Sequence, residues 1–476
     1  MPIDPILLAF SELAAGRPRE PLVASPSRSV SAEALAAAAE SLERRLAASG
    51  VGPGSAVGLA AAAGPALLVG YLALRRRGAV PVLCDSARPT PDRLAALDRL
   101  GVTGFVASAD GWPSSSDAWE VDRRDPERPL AANPDWGAIK LSSGSTGEPR
   151  GIAVTSAALL ADDAHLTSSM GLRATDRFVA KVPLSHSYGF SSLALPALVR
   201  GSLLVVPEGR SPLAPLAAAR ALGATVFPTV PAWLGAFVRL STPPPWPESV
   251  RLVLAAGAPL PAETAAAFRA ATGRAVHVFY GASECGGITY DRRGDAAERG
   301  TVGTAVDGVA LRIDPATGRL EVRSAAVAST YLPEARPELG SGRFLTGDLA
   351  ELGDGEVRLS GRADDIVFVR GKNVNPREVE AALREIPGVV EASVLGVDGP
   401  DGPRSVLRAV VAAPGSGEGS GPDYETILAH CRRRLAEHKV PRSVVVVAEM
   451  PRTDRGKLDR EMLASLVQPV ARRATP

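Results

Sequence analysis

Residues 141–151 read LSSGSTGEPRG, three glycines, three serines and a threonine ending beside one arginine. Small residues at this density let successive backbone N–H groups turn toward one point, and hydroxyls add donors; the result suits phosphate oxygens. By composition alone the same run is a flexible linker. Its surroundings favour the first reading. AIKL (138–141) reads as a buried strand entering the run, and Thr155 or Ser156 then caps a helix over SAALLADDAHLTSSM. No GxxxxGK[ST] occurs anywhere, so a P-loop kinase or ATPase is disfavoured.

Four further stretches carry groups able to do chemistry: FYGASECGG (279–287), FLTGDLAEL (344–352), GRADDIVFVRGKNVNPREVEAAL (361–383) and PRTDRGKLDR (451–460). Singly, each has an ordinary reading. Tyr280 is a core aromatic, Thr-Gly-Asp a turn, Gly371 a turn glycine between strand and helix, and Lys457 a solvated lysine. Of 53 basic residues, however, only those at 140, 181, 372, 439 and 457 are lysine. A high-GC coding preference explains the arginine bias most simply, and each surviving lysine gains weight as a place where a compact, rotatable ammonium is wanted.

In this order the five stretches resemble the adenylate-forming superfamily of acyl- and aryl-CoA ligases, luciferases and peptide-synthetase adenylation domains. Stand-alone acyl- or aryl-CoA ligases are the nearest kind, and the likeness runs over roughly residues 30–462. It implies a soluble AMP-binding ligase using ATP and Mg²⁺. A carboxylate attacks the α-phosphorus, pyrophosphate leaves, and the acyl group passes to CoA or to the phosphopantetheine of a separate acyl carrier protein. Ser142, Ser143, Gly144, Ser145, Thr146 and Gly147 are then expected to wrap the β- and γ-phosphates. Arg150 stands where relatives more often have lysine, and Ser283 stands in place of threonine as donor to the α-phosphate. Glu284 is the expected Mg²⁺ ligand, Tyr280 and Gly281 face adenine, Asp348 accepts the ribose hydroxyls, and Arg362 contacts ribose or phosphate. Lys457 is the catalytic lysine, bridging carboxylate and α-phosphate. Asp364 is the pivot that withdraws it for the thiol step, when Gly371 passes the pantetheine and Lys372 meets CoA phosphates.

The resemblance also locates the acid pocket: His186, Ser187, Tyr188 and Gly189, then Ala256, Gly257, Gly281, Ala282 and Gly286. Without it, His186 is equally a packed core histidine. No aspartate lies between Lys181 and Arg200 to pair with an α-amine, so an α-amino acid is disfavoured. The small walls suit an aromatic or short-to-medium aliphatic acid. A non-catalytic nucleotide-binding protein is the reading from another class; it is expected to lack Lys457 or Glu284, and both are present.

Positioning these groups requires more than one core, as 476 residues imply. SAEALAAAAESLERRLAASG is a helix capped by Ser31 and stopped at Gly50; GAVPVLCD, VTGFVAS, RLVLAA and AVHVFYG are strands, and PAETAAAFRAATG is a helix closed by Gly273. Strand–helix–strand units at this spacing predict an α/β fold with parallel-rich sheets. STPPPWP (241–247) reads as a surface connection. The expected division is a large domain at 1–361, a hinge at 362–365, and a small mobile α+β domain at 366–476 bearing one flexible insert, PGSGEGSGP. AVGLAAAAGPALLVGYLAL (56–74) is long enough to tempt as a membrane span, but Gly64-Pro65 breaks it into strand and helix. A formal charge of +1 argues against general nucleic-acid or membrane-surface binding. Three isolated cysteines and the lack of a basic leader point to the cytoplasm.

Overall fold

The computed structural model describes residues 3–84, 91–112, 116–143, 149–369, 372–399, 402–413, 422–453 and 458–467. Local signals place the elements. The Ser31 side chain accepts the Ala34 N–H and opens the helix Ala32–Ala48, whose apolar stripe Leu35, Leu42, Leu46 is buried. Thr155 caps Ser156–Met170 in the same way. Gly273 takes φ +69° just beyond Ala262–Thr272, a left-handed close that favours glycine. The suspected span resolves into the strand Ala56–Ala61 and the helix Ala66–Arg76, which is buried from Ala66 to Arg75. Among the described residues no helix is long and apolar enough to cross a membrane.

Contacts divide the chain into two units, and the fold is mixed α/β with a large and a small unit. The large one comprises Met1–Ile313, Glu321–Thr346 and Leu352–Arg358. One of its sheets runs in the order 330–332, 149–155, 136–143, 80–84, 56–61, 104–108, 120–123. Its centre is parallel and its flanks antiparallel. In the other, the strands Pro21–Ser25, Leu203–Val205, Arg177–Val179, Val226–Thr229, Leu252–Ala255 and His277–Ala282 lie side by side in parallel. Helices cover these sheets, and an aromatic cluster of Phe227, Trp233, Phe237, Trp246 and Phe268 fills one interface. Trp246 belongs to the proline-rich connection, which is therefore pinned by its ring and not merely superficial.

Between the Gly/Ser run and the helix capped by Thr155 lies an element that local signals do not mark. The strand Pro149–Thr155 intervenes, antiparallel to Trp136–Ser143 with Ser143 opposite Pro149. The strands on either side of residues 144–148 thus form an antiparallel pair, and the helix Ser156–Met170 begins only after the second of them.

Glu321, wholly covered, accepts from Arg343 at 2.6 Å and from Arg323 and Arg312 at 3.0 Å, anchoring the start of the strand Arg343–Gly353. These guanidinium bonds, Arg343 first, hold its carboxyl at about 2, below its ordinary 4.5. A lowered folded pKa stabilises above pH 4.5, and that contribution is lost as pH falls toward 2. Glu321→Gln is expected to cost about 1–2 kcal/mol at pH 7 and to flatten the acid limb of a Tm-against-pH curve. An unchanged acid limb would remove this role.

The small unit comprises Asp314–Leu320, Gly347–Glu351 and Leu359–Pro476. Glu391–Gly399 pairs antiparallel with Gly402–Ala412, which runs parallel to Ser443–Val447. Against these pack Pro376–Arg384 and Tyr424–Arg434, through Val379, Leu383, Ile427 and Cys431.

Candidate active site

The hairpin of His277–Ala282 and Gly286–Tyr290 carries Ser283, Glu284 and Cys285 at its turn. Gly286 has φ +70°, and a Cβ there would overlap the Asp162 carboxylate, so conformation and space both demand glycine. The Gly287 N–H donates to Asp162 Oδ1 at 2.9 Å, while the Glu284 carbonyl accepts from the Ala328 N–H at 2.8 Å. Two separate elements thus fix the turn's backbone. Tyr280 is half-buried on the first strand, beside a bulge at Gly281.

Sequence reasoning missed Tyr331. Its hydroxyl donates to Glu284 Oε1 at 2.9 Å, and its strand pairs with the return strand of the Gly/Ser hairpin, Tyr331 opposite Ile152. Burial, reinforced by the Glu284 charge and opposed by Arg150, pushes its phenol above the usual range. Tyr331 therefore brings Glu284 and the strand bearing Arg150 into one neighbourhood. Residues 284 and 331 are far apart in sequence, and no motif flags the tyrosine.

His186 caps the short helix Ser187–Gly189, its Nδ1 accepting the Tyr188 N–H at 3.4 Å. The helix continues through a π segment, Phe190–Ala194, into Leu195–Arg200. Pro196 supplies the reason: it has no N–H and its ring would strike the carbonyl a normal turn earlier, and the wider turn relieves both. The Tyr188 ring packs on Phe279 at 5.7 Å, and its hydroxyl is buried without a hydrogen bond. Gly189 lies against the Pro183 carbonyl, where a Cβ would clash. Ala256 is buried, and Gly257 opens onto space with no atom within 4 Å of a Cβ position. At the helix end Arg200 pairs with Asp163 at 3.2 Å; burial nevertheless raises that carboxyl to about 6.

In the small unit Arg362 meets Asp348 at 3.5 Å. Asp364 sits in the turn Ala363–Asp365, and the next residue, Asp365, pairs with Arg460 at 2.9 Å. Lys372 is exposed on the strand Lys372–Val374. Ser142 and Ser143 end the strand Trp136–Ser143. Gly144, Ser145, Thr146, Gly147, Gly371 and Lys457 lie outside the described residues; Arg452 and Leu458, on either side of the last, form an antiparallel bridge.

Among the described residues no three His, Cys, Asp or Glu side chains gather to hold a metal. A single carboxylate, Glu284, suits an ion that takes one or two protein oxygens and completes its shell from phosphates and water. Mg²⁺ is such an ion.

The profile described as AMP-binding enzyme matches residues 10–332, and that of the AMP-binding enzyme C-terminal domain matches 378–457. Feruloyl-CoA synthase of an Amycolatopsis species is 30% identical over 449 residues, covering 88% of this chain and 90% of that protein. Sulfoacetate–CoA ligase of Cupriavidus necator is 31% identical over 348 residues, 69% of this chain and 66% of the other. ATP-bound MatB from Rhodopseudomonas palustris matches with a TM-score of 0.78 and 27% identity, over 96% of this chain and 98% of that one.

Proposed function

The chain belongs to the AMP-binding enzyme family, and from that premise we propose that it joins a carboxylic acid to AMP at the expense of ATP and then transfers the acyl group to the thiol of CoA. The observation that carries this reading is the Glu284 turn, fixed by Asp162, Ala328 and Tyr331 beside the strand of Arg150. A carboxylate so held can share a cation with a nucleotide. ATP bound to MatB, and relatives named as a CoA ligase and a CoA synthase, support the two substrates.

In the first step a carboxylate oxygen forms a bond to the α-phosphorus, and the bond to pyrophosphate breaks. Residues 142–147 and Arg150 hold the departing phosphates, and Ser283 donates to the α-phosphate. Glu284 would hold Mg²⁺, which would supply charge neutralisation at the phosphate oxygens. Tyr280 and Gly281 receive adenine; Asp348 and Arg362 exchange their mutual ion pair for ribose. Lys457, from the small domain at 366–476, brings its ammonium to the attacking and receiving oxygens as negative charge gathers between them. In the second step the thiol sulfur bonds to the acyl carbon and AMP leaves. Turning at Asp364 withdraws Lys457 and presents Gly371 and Lys372 to pantetheine and CoA phosphates.

His186 orients the carboxylate, and Ser187, Tyr188, Gly189, Ala256, Gly257, Ala282 and Gly286 line the slot. Its apolar walls favour an aromatic or short-to-medium aliphatic acid over an α-amino acid. Three buried free cysteines fit a reducing cytoplasm. The test is pyrophosphate release across a panel of carboxylic acids, followed by a chase of the preformed adenylate with CoA. Formation of an acyl-CoA is expected; transfer only to a purified carrier protein would overturn the assignment of the thiol.

A further inference from the structure

Lys140, Ser191 and Asp162 are 3%, 5% and 3% exposed, a polar trio inside the large unit that the reaction above does not use. They come from three elements: the strand Trp136–Ser143 that leads into the Gly/Ser run, the π segment of the helix begun by His186, and the helix Ser156–Met170. The Lys140 ammonium donates to Ser191 Oγ at 3.2 Å. Asp162 lies close enough to both for each to draw its carboxyl toward the charged form, and its Oδ1 takes the Gly287 N–H at 2.9 Å. Asp162 in turn fills the space that a side chain at Gly286 would need. Burial drives Lys140 down and Asp162 up, and each draws the other back toward its charged form. Opposite charges buried and connected in this way hold their neighbours in one arrangement, because any shift leaves a charge without a partner.

We propose that Lys140, Ser191 and Asp162 form a buried strut that locks the Glu284 turn to the stem of the Gly/Ser hairpin and to the His186 helix, and so sets the affinity of the site for Mg·ATP. They are positioning residues: they act through Glu284 and the hairpin and touch no reacting atom. The inference rests on the proposed adenylation only for its kinetic readout.

The experiment compares the full-length protein with its Lys140→Met and Ser191→Ala variants. Lys140→Met is expected to raise the KM for Mg·ATP and the half-saturating Mg²⁺ about tenfold while leaving kcat at saturation within about threefold; Ser191→Ala follows with about a threefold rise. A role in folding alone would lower Tm and the active fraction at unchanged KM. Hydrogen exchange without nucleotide supplies a second readout, with faster exchange expected at 282–290 in both variants. Folded variants with wild-type KM for Mg·ATP and wild-type exchange in that segment would overturn the strut. Should Lys140→Met fail to fold, Ser191→Ala decides by the same readouts. Should the wild-type protein show no acid-dependent turnover, the adenylation reading fails and exchange alone judges the strut.

Discussion

Lys457→Ala is expected to lower acyl-adenylate formation by about 100- to 1,000-fold while leaving ATP affinity within several-fold, since an ammonium aimed at charge that develops only in the transition state contributes little to ground-state binding. Only five of 53 basic residues are lysine, and one of them stands in PRTDRGKLDR. The residues around it are anchored within the small unit: Asp459 N–H donates to the Pro451 carbonyl at 2.9 Å, and Arg460 holds Asp365 beside the proposed pivot Asp364. The second half-reaction offers an internal control. Synthetic acyl-adenylate supplied to the variant should still yield acyl-CoA at a rate within about tenfold of wild type, because the proposed turn at Asp364 takes Lys457 out of that step. Near-normal pyrophosphate release by Lys457→Ala would refute its assignment.

The second large effect is expected at Glu284. Glutamine keeps an acceptor for the Tyr331 hydroxyl and nearly the same shape, so the turn should survive. The substitution removes the hard anionic oxygen proposed to hold the cation, and among the described residues no group of three His, Cys, Asp or Glu gathers to hold it instead. Glu284→Gln should lower kcat/KM about 100-fold and move half-saturation to higher Mg²⁺, with an unchanged Tm. A variant retaining the wild-type Mg²⁺ dependence would show that the ion is held elsewhere.

Much of the architecture was legible because it is written locally. Ser31, Thr155 and Gly273 mark helix ends by side-chain capping or a left-handed turn, and those marks need only a few neighbouring residues. The strand Pro149–Thr155 escapes a local reading for a matching reason. PRGIAVT is short, opens on proline, and pairs only because Trp136–Ser143 lies alongside it, a fact no local window contains. Tyr331 and the Lys140–Ser191–Asp162 trio escaped for want of any signature, their partners being brought together by sheet pairing and helix packing. Lys140 did carry one usable mark, the scarcity of lysine. Of the candidates that motif order proposes, Glu284, Tyr280 and Gly286 lie on one hairpin, and Asp348 and Arg362 pair within the small unit.

Acid-dependent exchange of labelled pyrophosphate into ATP, measured without any thiol, tests the central claim most directly, because it reports the reversible joining of acid to AMP and nothing that follows. The account predicts exchange that requires Mg²⁺ and at least one aromatic or short-to-medium aliphatic acid, and that falls to background in Lys457→Ala. Exchange absent with every carboxylic acid tried, from protein that binds ATP, would contradict it.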